Sequence, residues 1–429
     1  MSLVGRVAVV GAGWAGLACA AELTAAGRRV TVFEAARQPG GRARAVDLDG
    51  QRLDNGQHLL VGAYSETLRL MRQVGADPDR LFERIPLRLD YPGHFRLQLP
   101  DWPAPLHLAA GLLAASGASL REKLSAAGFM QRLKRRDFRL ERDVSVAAWL
   151  DAEGQTGALR RFLWEPLCLA ALNTAPAIAS AQVFANVLRD SLAGGSGATD
   201  LLLPRTDLGR LFPDPAAAYL AAHGGELRLS ARVGNLEREG MGWRIGGETF
   251  DHVVLAVAPQ HLARLLGHRP AHETLLAGLS AYAYEPIGTA YLGYAGDTRL
   301  PFPMLGLGGP LGQWVFDRRH TGNPGILACV FSGEGEWDSL DDETLACRLN
   351  DELRAVIGPL PAPRWQRVIR ERRATFSCRP GLMRPGPATA EHGLWLTGDY
   401  CYEDYPATLE GAVRSGVATA RWVLGRSAG

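Results

Sequence analysis

Arg6-Val7-Ala8-Val9-Val10 is a short apolar run that feeds directly into Gly11-Ala12-Gly13-Trp14-Ala15-Gly16, and Leu17 to Ala26 then reads as a helix rich in small residues. In a strand, glycine turn, helix arrangement each glycine has its own task. Gly11 permits the tight turn, Gly13 lets the backbone approach a diphosphate, and Gly16 lets the helix pack closely on its strand. The unpaired N–H groups of the first helical turn, where Trp14 and Ala15 stand, face the anion together with the positive end of the helix dipole. A second β-branched run, Arg29-Val30-Thr31-Val32-Phe33, ends on Glu34. Its carboxylate suits the hydroxyls of an adenosine ribose and repels a 2′-phosphate, so the pattern points to a dinucleotide without that phosphate.

Gln38-Pro39-Gly40-Gly41-Arg42-Ala43-Arg44 follows the acid closely. It adds two flexible glycines and a fixed cation, Arg42, whose fork can bind a diphosphate; the bland reading is a solvated basic turn. Near the other end of the chain, Leu394-Trp395-Leu396-Thr397-Gly398-Asp399 is a strand ending in Gly-Asp, and a helix begins after Thr408 at Leu409-Glu410-Gly411-Ala412. A cofactor long enough to need both ends of the chain is expected, which favours FAD over NAD.

These motifs resemble the flavin-dependent amine oxidase and phytoene desaturase superfamily, in which the dinucleotide turn continues into a Gly-Gly-Arg loop. Within it, Leu53-Asp54-Asn55-Gly56-Gln57-His58-Leu59-Leu60-Val61-Gly62-Ala63-Tyr64 and Tyr405-Pro406-Ala407-Thr408-Leu409-Glu410-Gly411 are similar to the squalene-associated desaturase-like branch, whose members are hydroxysqualene dehydroxylases. The resemblance implies an α/β fold, with a Rossmann-like FAD-binding domain of the amine oxidase type interleaved with an α+β substrate domain. It implies noncovalent FAD, since no Cys or His stands in an attachment context, and a reductive removal of the hydroxyl of hydroxysqualene upstream of bacterial hopanoid or other triterpene synthesis. It also assigns Asp399 and Gly398 to the ribityl or diphosphate, the Val233 backbone to the adenine, and Gly56, Gln57 and His58 to a flavin-facing loop. Read without the resemblance, Val233 is an ordinary strand residue. The resemblance likewise assigns Thr408, Leu409 and Glu410 to the cofactor, at the start of a helix whose positive end would stabilise negative charge on the flavin pyrimidine ring; Glu410 also has an intrahelical partner four residues on in Arg414, so a purely structural role stays open for it.

Removing an allylic hydroxyl needs an acid near the leaving oxygen and a dry cavity. Asn55, Gln57 and His58 are the candidates, with His58 as proton donor; the competing reading makes His58 a hydrogen-bonded structural residue. Tyr400, with Tyr402 and Tyr405, offers ring faces to a transient carbocation, or simply packs. Three other readings share the fold. An amine oxidase commonly places a lysine near the flavin, a carotenoid desaturase runs oxidatively on an apolar polyene, and the Rab-escort type of prenyl-binding protein is not an enzyme.

Composition agrees with a two-domain flavoenzyme: 429 residues, 47% hydrophobic and 21% charged, exceed a single ordinary core. The parts expected are 1–64, 204–273 and 387–429 for FAD, and 65–203, helix-rich, with 274–386 for substrate. Gly194-Gly195-Ser196-Gly197 is a hinge or a surface loop. In the middle part, residues 224–233 read as a strand, Trp243-Arg244-Ile245 and Glu248-Thr249-Phe250 as a hairpin, and Asp251 to Pro259 as a buried strand stopped by proline. A net charge of +2 gives no case for nucleic acid. Lys123 and Lys134 are the only lysines, and the six cysteines show no metal-ligand or disulfide spacing, which fits a cytoplasmic protein without a metal.

No secretory signal or spanning segment is expected, since Leu106 to Ala115 is far short of the roughly twenty apolar residues that cross a bilayer. Ser119-Leu120-Arg121-Glu122 has capping-box spacing and opens a helix with Leu120, Leu124, Ala127, Met130 and Leu133 as its apolar stripe, ending in Arg132-Leu133-Lys134-Arg135-Arg136. A core-packed helix with a solvated basic end and an interfacial helix on anionic lipid both fit. An isoprenoid substrate, a peripheral place on the inner membrane face and association with other enzymes of squalene synthesis complete the expectations.

Overall fold

A computed structural model describes residues 5–48, 50–195, 197–267 and 269–425. Five parallel strands, in spatial order Glu226–Arg228, Arg29–Phe33, Arg6–Val10, His252–Leu255 and Leu394–Leu396, form a sheet drawn from three distant stretches of sequence. Val7, Val9, Val32, Val253 and Val254 are all fully buried, the unbroken apolar pattern of parallel strands covered on both faces. Helix Trp14–Ala25 connects strand Arg6–Val10 to strand Arg29–Phe33, and the C-terminal helix Leu409–Val423 packs against it. That contact requires Gly416, because a Cβ there would stand 2.3 Å from the Ala15 carbonyl oxygen.

The second sheet is antiparallel, in order Met304–Gly306, Trp314–Asp317, Ile326–Ser332, Tyr284–Gly293 and Trp365–Phe376. Its side chains alternate between two apolar neighbourhoods, as the period of two demands. Val315, Cys329 and Phe331 pack with Leu345, Leu349 and Leu353 of helix Asp342–Ile357. Trp314, Phe316, Val330 and Ser332 face a cavity on the opposite side. The remaining wall is helical: Val146–Ala152, Glu165–Leu172 and Ala181–Ser191 gather around aromatic contacts of Phe129 with Trp149 (4.9 Å) and Trp164 (5.4 Å).

Three local expectations change. Only Glu226–Arg228 of residues 224–233 is strand, since Ser230 at φ +53° turns the chain out of extended geometry. The hairpin gains a third strand, Glu237–Glu239. In helix Leu120–Arg135 the buried stripe is Ala126, Phe129 and Leu133, whereas Leu120 and Leu124 are exposed. The Ser119–Glu122 capping box is present with both reciprocal bonds. Ser196 of the expected hinge lies outside the described residues.

Candidate functional site

A cavity of about 990 Å³ runs from the C-terminal edge of the parallel sheet to the inner face of the antiparallel one. Gly11, Gly13, Trp14, Ala15, Glu34, Gly40, Gly41, Arg42, Asn55, Gly56, Gln57, His58, Val233, Gly398, Asp399, Tyr400, Thr408 and Leu409 all line it. Gly16 and Glu410 do not. A Cβ on Gly16 would meet the Gly11 carbonyl oxygen at 2.1 Å, so this glycine serves the packing of helix on turn.

At the sheet end the first helix begins at Gly13 with no side-chain cap. Trp14 and Ala15 of its first turn line the cavity together with Gly40 and Gly41. Gly41 sits at φ +62°, and a Cβ there would stand 3.1 Å from the Gly13 Cα, so the two glycine turns press together into a cradle without side chains. The Glu34 carboxylate accepts from the Ala12 N–H (2.7 Å) and the Ala36 N–H (2.8 Å), which locks the acid at the strand end and leaves lone pairs free. An uncapped helix start, a bare glycine cradle and an adjacent acid fit the diphosphate and ribose of a dinucleotide.

The two ends of the chain meet at this cradle. Arg42 donates to Asp399 at 2.6 Å across 357 positions of sequence, and its other nitrogen reaches the Ala374 carbonyl. Asn55 donates to the Arg42 carbonyl (3.0 Å), so the Gly-Gly-Arg turn and the Asn55–His58 loop are one unit. Thr408 is the N-cap of helix Leu409–Val423, its hydroxyl accepting from the Gly411 N–H (3.0 Å). Glu410 points the other way. Its carboxylate is fully buried against the start of helix Ser65–Gln73 and is bonded to Arg414 at 2.7 Å.

His58 Nδ1 lies 2.9 Å from the Gly56 carbonyl, which fixes the proton on Nδ1 and leaves Nε2 as the ring's acceptor. Burial lowers its pKa, aided by the charges of Arg318 and Arg42 and opposed by the Gly56 carbonyl and Asp54, so the resting ring is neutral. Gln57 is spent on its neighbours: its amide donates to the His58 carbonyl (2.9 Å) and accepts from Arg318 (2.5 Å). Tyr400 is buried, and its hydroxyl donates to the Val257 carbonyl at 3.1 Å. Tyr405 donates to Asp190, and the Arg414 guanidinium lies 4.3 Å from its ring centroid, so a cation already covers one ring face. Tyr402 is outside the cavity lining.

Beyond the loop the walls become aliphatic and aromatic, with Leu87, Leu89, Leu167, Trp314, Phe316 and Ile369 among them. These side chains carried no signal in a sequence reading, because their convergence depends on how two discontinuous segments fold together. Asn173, at φ +47°, ties that wall by donating to Thr375 (2.9 Å) and accepting from the Gly333 N–H (2.8 Å). Neither lysine lines the cavity; Lys123 donates to the Leu113 carbonyl at 2.8 Å on another face. Among the described residues no group of three or more His, Cys, Asp or Glu could hold a metal ion.

Comparison with known proteins agrees with this geometry. The flavin containing amine oxidoreductase family matches residues 14–424. The hydroxysqualene dehydroxylase of Rhodopseudomonas palustris is 34% identical over 97% of this chain and 98% of its own length. A 15-cis-phytoene desaturase of Synechococcus elongatus is 26% identical over 98% and 96%. Among solved structures, the cyclohexylamine oxidase of Brevibacterium oxydans superposes with a TM-score of 0.68 at 17% identity, covering 98% of this chain and 99% of its own. The chain belongs to the flavin containing amine oxidoreductase family and is an FAD-dependent oxidoreductase.

Proposed function

We propose that this enzyme reductively removes the hydroxyl of hydroxysqualene to give squalene. The observation that carries the reading is the continuity of the cofactor cradle with a chamber walled by Leu87, Leu89, Leu167, Trp314 and Phe316, which suits a long hydrocarbon. Bound FAD in its reduced form supplies the hydride that replaces the departing hydroxyl. The Gly11–Gly16 and Gly40–Arg42 turns with Glu34 and Asp399 hold that cofactor, and the Val233 backbone borders the adenine end. His58 orients the substrate hydroxyl through its free Nε2; as imidazolium it also protonates the leaving oxygen. Asn55 and Gln57 hold the loop, through the Asn55 Nδ2 on the Arg42 carbonyl and through both polar atoms of the Gln57 amide. Tyr400 acts by packing.

The greater likeness to a hydroxysqualene dehydroxylase than to a phytoene desaturase supports reduction over desaturation. The distance of both lysines from the cavity argues against amine oxidation. The test is an anaerobic incubation of dithionite-reduced enzyme with hydroxysqualene, followed by gas chromatography. Squalene is the expected product; oxidation of phytoene by the oxidised enzyme, with hydroxysqualene untouched, would overturn the reading.

The same reading places the enzyme on a membrane surface, the source of so insoluble a substrate. Trp102, Leu106, Leu113, Leu120 and Leu124 are exposed large apolar side chains on and beside helices Leu106–Ala114 and Leu120–Arg135. Lys123 bonded to the Leu113 carbonyl joins the two helices. Exposed Lys134, Arg135 and Arg136 supply attraction to anionic lipid, whereas Arg132 is paired with Glu153 at 2.7 Å. No helix among the described residues is long and apolar enough to cross a bilayer. Sedimentation with phosphatidylglycerol vesicles is expected to retain the protein, and Leu113→Asp with Leu124→Asp to release it; equal binding by that variant would remove this surface as the contact.

A further inference from the structure

Behind the Asn55–His58 loop stands a buried cation, Arg318, that does not line the redox cavity. Arg318 follows strand Trp314–Asp317 and is 2% exposed. One arm of its guanidinium donates to Asp54 at 2.7 Å and the other to the Gln57 side chain at 2.5 Å, while its Nε has no partner. Asp54 is equally buried and is itself fixed twice. Its carboxylate accepts from the Leu208 N–H (2.9 Å), and its carbonyl accepts from the Tyr291 hydroxyl (2.9 Å). Gln57 is held in turn by its N–H to the Thr289 hydroxyl (3.2 Å) and by its amide to the His58 carbonyl.

A buried ion pair gives little net stability, because the desolvation of both charges offsets their attraction. What it gives is direction. A planar guanidinium with one arm on a fixed carboxylate has its second arm aimed, and here the second arm ends on the loop that carries His58. On its far side Arg318 borders a second, mostly polar cavity of about 550 Å³ with Arg52, Asp207 and Asn323.

We propose that Arg318 is a positioning residue for the redox cavity, setting the Asn55–His58 loop through Asp54 and Gln57 so that the His58 ring keeps one orientation and one tautomer. The proposal rests on this loop facing the flavin and, in one arm of its test, on hydroxysqualene as substrate. Two variants probe it. Arg318→Lys keeps the charge beside Asp54 and loses the fork. Arg318→Met with Asp54→Asn removes both charges and strands neither. Each purified FAD enzyme is read in three ways: the visible band and midpoint potential of its flavin, the ¹⁵N resonances of the His58 ring, and the single-turnover rate at which hydroxysqualene reoxidises the reduced enzyme. The expected result is a shifted flavin potential, a His58 ring that loses its single Nδ1–H form, and a rate lower by roughly 100-fold, the effect of a displacement of about 1 Å. A folded variant with wild-type potential and wild-type His58 resonances would overturn it. If wild-type enzyme is not reoxidised by hydroxysqualene, the substrate proposal fails and Arg318 is judged on the other two readouts alone. Should neither variant fold, Gln57→Leu cuts the second arm with the ion pair intact, and unchanged His58 resonances there would equally refute the role.

Discussion

Glu410 sits in the C-terminal flavin motif yet its carboxylate turns from the cavity, and this orientation yields a sharp prediction. One oxygen accepts from the Glu66 N–H (3.1 Å) and from Arg414 Nε (2.7 Å); the other accepts from the Thr67 N–H (3.0 Å) and hydroxyl (2.7 Å). The two N–H groups belong to the first turn of helix Ser65–Gln73, where no intrahelical acceptor exists. Glu410→Ala strands all four donors at a fully buried position. At roughly 1 kcal/mol for each bond the loss is about 4 kcal/mol, within the range of about 3–5 kcal/mol for removing one partner of a buried charge pair. The two figures describe the same carboxylate and do not add. At about 2 °C per kcal/mol for a large domain, Tm should fall by roughly 6–10 °C, with apoenzyme and FAD-saturated enzyme compared separately because bound cofactor raises Tm by mass action. Isothermal titration of the folded apoenzyme should return a Kd for FAD within about threefold of wild type, a difference under about 0.7 kcal/mol. An unchanged Tm together with a tenfold weaker Kd would refute the reasoning and return Glu410 to the cofactor site.

Arg42→Lys removes the fork that joins Asp399 to the Ala374 carbonyl, and equilibrium dialysis should show FAD binding weakened by about tenfold, or roughly 1.4 kcal/mol. Gly416→Ala places a methyl 2.3 Å from the Ala15 carbonyl and must separate the two helices, so thermal melts should show a loss of about 1–3 kcal/mol. Burial holds the folded His58 pKa below its unfolded value, so the unfolded chain binds more protons and stability falls as pH drops below about 6.5; chemical denaturation should show a shallower loss in His58→Gln, with His252 and His261, also lowered, supplying the remainder.

The place of the glycine turns and Glu34 was legible because it is local: a strand, a turn and a helix start within thirty residues bring them to one edge of the sheet, whatever the rest of the chain does. The resemblance at the C-terminus located Asp399 for a different reason, since nothing in Gly398-Asp399 alone says that Arg42 is its partner. Where the Glu410 side chain points was not legible, because a motif names positions and not the direction in which each side chain leaves its helix. Arg318 was invisible. Its meaning comes from a carboxylate 264 positions away. The helix after Ser119 was correctly started, but of its expected stripe only Leu133 is buried. Its Leu120 and Leu124 match an apolar period as well as Ala126, Phe129 and Leu133 do, and only tertiary packing decides which stripe is covered.

The cation inventory narrows the chemistry further. Both lysines lie away from the cavity, so every cation around it other than histidine is a guanidinium, which stays charged through any accessible pH and transfers no proton. Arginine there can hold phosphate or carboxylate and polarise a neighbour, and nothing more. Proton transfer therefore falls to tyrosines, carboxylates and histidines of the lining. Burial pushes all four lining phenols up, those of Tyr64, Tyr284, Tyr400 and Tyr405, and the Tyr400 and Tyr405 hydroxyls are committed to Val257 and to Asp190. Of the two lining histidines, His261 is exposed beside Arg232 and Arg264 at the Val233 end. His58 alone combines a free ring nitrogen with a place between the cradle and the apolar chamber. An acid that is neutral at rest must collect its proton before each turnover, so a dehydroxylation run through it quickens as the medium becomes more acidic until the fold itself begins to fail.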